Sequence, residues 1–197
     1  IFIARDPVKR LESSFREFHH SGYIYGIEAP DDIQEADYGS DDVEFLLRSF
    51  AQVVAQRPQA RLLLVGKGMY ERSLRRLARK LDLGERVIFN GPVPYDEVPH
   101  YAAAADLFVF PSLYEGFGLP AGEAMACGIP LISTTGGALP EVVGDAGILV
   151  PPKDHMALAR AIVDMLDHPD RAMELGRRGY QRVQRHFTWR RAAEKTV

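Results

Sequence analysis

Two glutamates lie close together in the segment 111–128 of the chain and could bind the hydroxyl groups of a sugar. Glu115 and Glu123 have seven residues between them. Carboxylate oxygens accept hydrogen bonds, so two of them on a loop and the following helix could hold a polyhydroxylated ligand. The alternative is that both are surface acids near a helix N-terminus, where the helix dipole stabilises negative charge.

The residues between and around these glutamates predict a strand, a glycine-rich loop and a helix. An apolar run ends at Pro111, and Pro120 suits the first turn of a helix. Free backbone N–H groups and the positive end of the helix dipole would then lie beside the loop, which suits a phosphate. Gly116 and Gly118 would allow that phosphate to approach the backbone closely.

From residue 43 onward, the apolar patterns of strands and helices alternate along the chain. Such alternation requires crossover helices, so we predict an α/β fold in which helices flank a parallel sheet. The predicted strands are 61–65, 87–89, 107–110, 131–133 and 148–150. The predicted helices are 43–56, 69–81, 96–104, 120–127, one that begins at Asp154, 170–186 and 188–196.

In a parallel sheet of this kind, ligands bind off the carboxyl ends of the strands. The loops expected along that edge, which we call the carboxyl rim, are 66–68, 90–94, 111–118 and 133–137. Lys67 lies in the first of these loops and could face a phosphate, although a solvated lysine is the simpler alternative. Gly136 and Gly137 predict a turn near the site.

The composition is that of a globular protein without a strong global charge. The chain has 197 residues, a net charge of −3 and one cysteine. These values disfavour a nucleic-acid partner and fit a reducing compartment, and no run approaches the ~20 apolar residues of a membrane span. We therefore expect a cytoplasmic protein. Because the chain begins at Ile1 rather than at Met, we expect it to be part of a longer one.

The segment 111–130 resembles the signature of retaining glycosyltransferases with two Rossmann-like domains, the GT-B architecture. The family pattern is P-S-x-x-E-G-F-G-L-P-x-x-E-A-M-A-x-G-x-P, and this chain follows it without a gap as PSLYEGFGLPAGEAMACGIP. The resemblance extends from about Val43 to the C-terminus and includes the stretches LLLVGKG, VIFNGPVPYDEV, YAAAADLFVFPS and HFTW. It implies that residues 43–197 form the C-terminal, nucleotide-sugar-binding half of such an enzyme.

The resemblance also implies roles for individual residues. Glu115 would be the catalytic residue beside the transferred sugar, and Glu123 would bind the ribose hydroxyls of the nucleotide. The loop 91–93 would lie against the base. The other residues expected to line the donor are Gly116, Phe117, Gly118, Leu119, Val93 and Ser112.

The reaction implied is transfer of a sugar from a UDP- or GDP-sugar to an acceptor hydroxyl with retention, as in polysaccharide or glycoconjugate synthesis. The resemblance implies no cofactor and no metal site. The acceptor would be a glycan or a lipid, bound with the help of an N-terminal acceptor domain that this chain lacks, and peripheral membrane association of the full-length enzyme stays open.

One position departs from the family pattern. Members carry an Arg and a Lys-Gly pair just before the helix that begins here near Val43, and these cations grip the diphosphate. This chain has Asp41 and Asp42 where the Lys-Gly pair would stand. An alternative function is therefore a non-catalytic module that binds a nucleotide-sugar.

Residues 1–42 form an N-terminal segment of different character, either a linker or the remnant of another domain. The stretch RDPVKRLESSF resembles the sulfotransferase pattern R-D-P-x-x-R-x-x-S-x-F/Y, in which Arg and Ser hold the 3′-phosphate of the sulfate donor PAPS. By this resemblance Arg5, Lys9 and Ser13 could bind phosphate, and the chain could be a sulfotransferase–glycosyltransferase hybrid. Other interpretations are a displaced glycosyltransferase Arg/Lys pair and an ordinary basic helix start.

Overall fold

The structure, a computed structural model, describes residues 2–4 and 40–188. In this part of the chain six strands form one sheet in the order β3-β2-β1-β4-β5-β6. The strands are β1 (Phe2–Ala4), β2 (Arg61–Val65), β3 (Val87–Gly91), β4 (Leu107–Phe110), β5 (Leu131–Thr134) and β6 (Ile148–Val150). The helices are α1 (Ser40–Gln56), α2 (Glu71–Lys80), α3 (Val98–Ala104), α4 (Leu119–Ala126), α5 (Leu139–Val143), α6 (His155–Asp167) and α7 (Pro169–His186).

The sheet is parallel except for β1. Strands β2 and β3 pair in parallel, and so do β4 with β5 and β5 with β6. Strand β1 lies between β2 and β4 and is antiparallel to both, so β2 and β4 point the same way. The predicted α/β class is confirmed. Strand β1 lies within the N-terminal segment 1–42, and the division of the chain at residue 42 stays a prediction.

Apolar side chains fill both faces of the sheet, because successive residues of a strand point to opposite sides. In β4, Leu107 and Val109 join a cluster with α1 and α6, whereas Phe108 and Phe110 join a second cluster with α4 and α5. Strand β4 is buried along its whole length. The loop that follows it is therefore anchored on a rigid central strand.

The observed elements differ from the predicted ones mainly at the carboxyl rim. Helix α1 begins at Ser40, before the predicted start at residue 43. The short helix α5 was not predicted; Pro140 in its first turn was the available signal. The predicted helix 188–196 falls almost entirely outside the described residues. Among the described helices, none combines the length and the apolar character needed to cross a bilayer.

Candidate functional site

The loop 111–118 connects the buried strand β4 to helix α4 and forms the centre of the carboxyl rim. Ser112 is buried at its base, whereas Gly116 and Phe117 are exposed at its tip. Gly118 is the N-cap of α4 and adopts a left-handed conformation, with φ of 82°. A side chain is strained there, and a Cβ at this position would lie only 2.7 Å from Cδ2 of Leu139.

The backbone of this loop presents unused donors. In the part of the chain that the structure describes, the backbone N–H groups of residues 116–119 donate to no other backbone group. They precede or begin α4, so the positive end of its dipole adds to their effect. Such an arrangement is suited to a phosphate or another anion.

Two glycines, Gly136 and Gly137, pack directly against the backbone of the loop 111–118. A Cβ at Gly136 would overlap the carbonyl oxygen of Leu113, and one at Gly137 would overlap that of Glu115. Ala138 N–H donates to the same Glu115 carbonyl at 2.9 Å. The backbone of Glu115 is therefore fixed against the turn 134–138, as the predicted turn near the site requires.

Thr134 ties the same turn to the base of the loop. Its hydroxyl donates to the carbonyl oxygen of Ser112 and accepts the backbone N–H of Gly136 at 3.1 Å. Thr134 is fully buried, so both bonds form away from water, where an unpaired hydroxyl would be costly. The strand ends of β4 and β5 are thereby locked together under the loop.

Glu123 lies on α4, where its carboxylate is held by a tyrosine from the neighbouring loop. The hydroxyl of Tyr95 donates to Oε1 of Glu123 at 2.8 Å. Burial raises the pKa of Glu123, and the Tyr95 hydrogen bond opposes that rise. The negative charge of Glu123 also reaches Cys127: desolvation of that thiol by the surrounding protein atoms, with the charge as the smaller cause, raises the pKa of Cys127 to about 11.

Asp42, in the first turn of α1, reaches the loop from the other side. Its Oδ1 accepts the backbone N–H of Leu113 at 3.0 Å. Burial is the main cause of a raised pKa for Asp42, and the negative charges of Glu115 and Asp41 add to it. Hydrogen bonds from Leu113 and Ser112 act in the opposite direction. An acid thus lies within electrostatic range of Glu115.

Comparison with known proteins identifies the family of this chain. Residues 40–182 match the family described as glycosyl transferases group 1. The chain belongs to this family. The GDP-mannose-dependent monoacylated alpha-(1-6)-phosphatidylinositol monomannoside mannosyltransferase of Corynebacterium glutamicum is 37% identical over 158 residues, which are 76% of this chain and 41% of that protein.

Solved structures agree with this assignment. Sucrose-phosphate synthase of Thermosynechococcus elongatus gives a TM-score of 0.73 at 40% identity, over 79% of this chain and 40% of that chain. HepE of Anabaena, solved in complex with UDP and glucose, gives 0.67 at 28% identity, over 76% of this chain and 41% of that one. The predicted glycosyltransferase fold is confirmed. The chain spans about two-fifths of the length of these relatives.

The other predicted site residues of this group 1 domain lie around the same rim. Val93 is half-buried in the loop after β3, and Lys67 is exposed in the loop after β2. Leu119 is 62% exposed at the first position of α4. The ring of Phe117 lies edge-on to that of Phe187, with centroids 5.8 Å apart. Phe187 is the residue that directly follows α7.

Some predicted residues cannot be placed in the glycosyltransferase site. Arg5, Lys9 and Ser13 lie outside the described residues. Within residues 2–4 and 40–188, no three His, Cys, Asp or Glu side chains are grouped so that they could hold a metal ion.

Tyr95 and Thr134 contact the site and were missed by sequence reasoning. Tyr95 directly follows the predicted rim loop 90–94, so its position was the available signal. Thr134 lies in the predicted rim loop 133–137, directly after the predicted strand 131–133, and its type gave no hint of a contact with Ser112. The Asp42–Leu113 contact joins residues 71 positions apart, and no local pattern indicates it.

Proposed function

We propose that this chain is the donor-binding domain of a retaining glycosyltransferase that moves a sugar from a nucleotide-sugar to an acceptor hydroxyl. The observation that carries the proposal is the loop 111–118. It leaves the N–H groups of residues 116–119 without backbone partners at the start of α4, between Glu115 and Glu123. Such donors suit the diphosphate, and the two carboxylates suit the hydroxyls on either side of it.

The chemistry follows from the charges that develop in such a donor. The sugar carbon becomes oxocarbenium-like as the nucleoside diphosphate leaves, so the domain must stabilise the departing negative charge. The N–H groups of the loop can do so without moving. The backbone of Glu115 is held by Ala138 and Gly137, so its side chain starts from a fixed point beside the place proposed for the sugar.

The donor and acceptor classes follow from the proposal and the relatives. Glu123 would bind ribose hydroxyls, which fits a GDP- or UDP-sugar. The acceptor would be a glycan or a lipid in polysaccharide or glycoconjugate synthesis, met in the cytoplasm with the help of an N-terminal acceptor domain. The resemblance implies transfer without a metal cofactor, and addition of EDTA to the assay tests that expectation.

A non-catalytic module that binds a nucleotide-sugar is the second candidate. Asp42 favours it, because its carboxylate contacts the backbone at Leu113, only three residues before the N–H groups proposed for the diphosphate. An acid there would repel a diphosphate, whereas the family pattern has a cation and a glycine in this place. A hybrid with a sulfotransferase is tested by binding of PAPS with and without Arg5→Ala.

Calorimetry and a release assay separate these candidates. We expect GDP, UDP or their sugars to bind weakly, with dissociation constants of about micromolar to millimolar. We expect the isolated chain to release nucleoside diphosphate far more slowly than the about 1–10³ per second of ordinary enzymes. Absence of nucleotide binding would refute the proposed function, and turnover in the ordinary range would refute the non-catalytic alternative.

A further inference from the structure

A tyrosine outside the segment 111–130 holds the carboxylate proposed for the ribose. Tyr95 lies in the short 3-10 helix that follows the loop 92–94, and Glu123 lies on α4. The two are 28 positions apart in sequence, yet the Tyr95 hydroxyl donates to Glu123 Oε1 at 2.8 Å. Tyr95 is 47% exposed, so the pair is open to a ligand from the carboxyl rim.

The hydrogen bond restricts what the carboxylate can do. A glutamate on a helix has three side-chain torsions, and fixing them costs rotamer entropy. A donor on one oxygen fixes the plane of the carboxylate and leaves Oε2 to accept from a ligand. Oε2 is thereby presented in a fixed direction, where it can accept a hydrogen bond from a ribose hydroxyl.

We propose that Tyr95 is a positioning residue for the nucleotide: its hydroxyl orients the Glu123 carboxylate toward the ribose and makes binding depend on the ribose hydroxyls. This inference rests on the proposed function. The contact between Tyr95 and Glu123 also links the loop after β3 to α4. One hydrogen bond therefore fixes the loop expected to lie against the base relative to the acid expected to bind the ribose.

The pH dependence of binding supplies a readout that a purely structural tyrosine would not change. Burial raises the pKa of Glu123 and the Tyr95 hydroxyl lowers it, so Tyr95→Phe raises it further. Nucleotide affinity that needs ionised Glu123 is then lost at a higher pH in the variant than in the wild type. Cys127, one turn along α4, feels the same charge, and with a pKa of about 11 it stays neutral across the range tested.

The experiment compares ribonucleotides with nucleotides that lack the ribose hydroxyls. GDP, UDP and their 2′,3′-dideoxy forms are titrated by calorimetry into the wild type, Tyr95→Phe and Tyr101→Phe between pH 5 and pH 8. Tyr101 is the matched control, since its hydroxyl accepts from the amide of Asn90 at 3.4 Å rather than donating to a carboxylate. Thermal unfolding checks that each variant is folded.

We expect Tyr95→Phe to weaken ribonucleotide binding about fivefold to tenfold, the size of one ordinary hydrogen bond. Binding of the dideoxy forms should change less than about twofold, and Tyr101→Phe should change neither. In a Glu123→Gln background, Tyr95→Phe should have little further effect, because both changes act on one interaction.

Two results would overturn the inference alone: ribonucleotide affinity that is unchanged in Tyr95→Phe, or a loss of equal size for the ribo and dideoxy forms. Additive effects of Tyr95→Phe and Glu123→Gln would overturn it as well. If the wild-type chain binds none of the nucleotides, the proposed function fails and the inference falls with it.

Discussion

Replacement of Asp42 by Asn separates a charge from a hydrogen bond at the centre of the site. Oδ1 of Asp42 accepts the backbone N–H of Leu113 at 3.0 Å, and an asparagine of the same shape can offer its amide oxygen in the same place. The loop 111–118 should therefore keep its support. What disappears is one negative charge beside the N–H groups proposed for the diphosphate, so we expect Asp42→Asn to bind nucleoside diphosphates more tightly.

The size of the gain follows from Coulomb's law. Leu113 is three residues from Gly116, so we place a bound phosphate roughly 6–8 Å from the Asp42 carboxylate. At an effective dielectric of about 20–40 near a protein surface, one pair of unit charges at that separation repels by about 1–3 kcal/mol. Removal of the charge should then tighten binding roughly fivefold to a hundredfold, and the gain should shrink at high salt, which screens the repulsion.

Calorimetric titration of GDP and UDP at low and high salt measures this effect. Asp170→Asn is the matched control, because Asp170 also lies in the first turn of a helix, α7. Pro169 beside it lines a cavity with Asp106 and Pro130, which precede β4 and β5, so Asp170 lies at the opposite edge of the sheet. Unchanged or weaker binding by Asp42→Asn, or an equal gain in Asp170→Asn, would refute the reasoning.

The same variant carries a pH signature in stability. Burial, with the charges of Glu115 and Asp41, raises the pKa of Asp42 in the fold. A carboxyl whose pKa is higher in the folded state than in the unfolded state destabilises the fold once it is ionised, and this penalty disappears as it becomes protonated. We expect Asp42→Asn to raise Tm relative to the wild type at neutral pH, with the difference vanishing below the ordinary pKa of an aspartate.

Four further substitutions test the assigned roles of the motif. Glu123→Ala should weaken nucleotide binding by roughly 1–3 kcal/mol, the range for a lost hydrogen bond to a charged group, and unchanged calorimetric affinity would contradict its ribose role. In the full-length enzyme, Glu115→Gln should lower kcat while the nucleotide dissociation constant stays within about twofold, and a parallel loss of both would assign Glu115 to binding instead. Gly116→Val should leave the domain folded, because a Cβ there meets nothing within 4 Å. It should abolish donor binding, because the valine side chain would block the approach of a phosphate to the backbone. Gly118→Val should lower Tm, because it strains a left-handed residue against Leu139; equal Tm values for the two glycine variants would be the contrary result.

Local sequence patterns were sufficient to predict the fold and the strand, loop and helix that carry the candidate site. The strand β4, the loop 111–118 and the helix α4 follow from an apolar run, glycines and a proline that act on their immediate neighbours. The parallel direction of the sheet follows from the alternation of strands and helices. Because carboxyl ends of parallel strands meet at one edge, the sequence also predicts that the candidate site lies at that edge.

The contacts that refine the site could not be predicted in the same way. The bonds from Tyr95 to Glu123 and from Leu113 to Asp42 join different elements across the carboxyl rim. They depend on the relative placement of helices, which is decided by packing over the whole sheet rather than by spacing along the chain. The antiparallel direction of β1 could not be predicted either, because the sequence of a three-residue strand does not indicate which strands it pairs with or in which direction.

The glycines of the site have different physical reasons, and the sequence alone did not separate them. At Gly116 the space for a Cβ is open, so the packing of the domain does not require glycine there, and the missing side chain matters only for a ligand that approaches the loop. At Gly118 the left-handed backbone and Leu139 already require glycine, and at Gly137 the carbonyl of Glu115 occupies the place of a side chain. Sequence reasoning assigned both Gly116 and Gly118 to the approach of a phosphate. A valine test of that role belongs at Gly116, because a loss of binding in Gly118→Val would follow from strain even without a phosphate nearby.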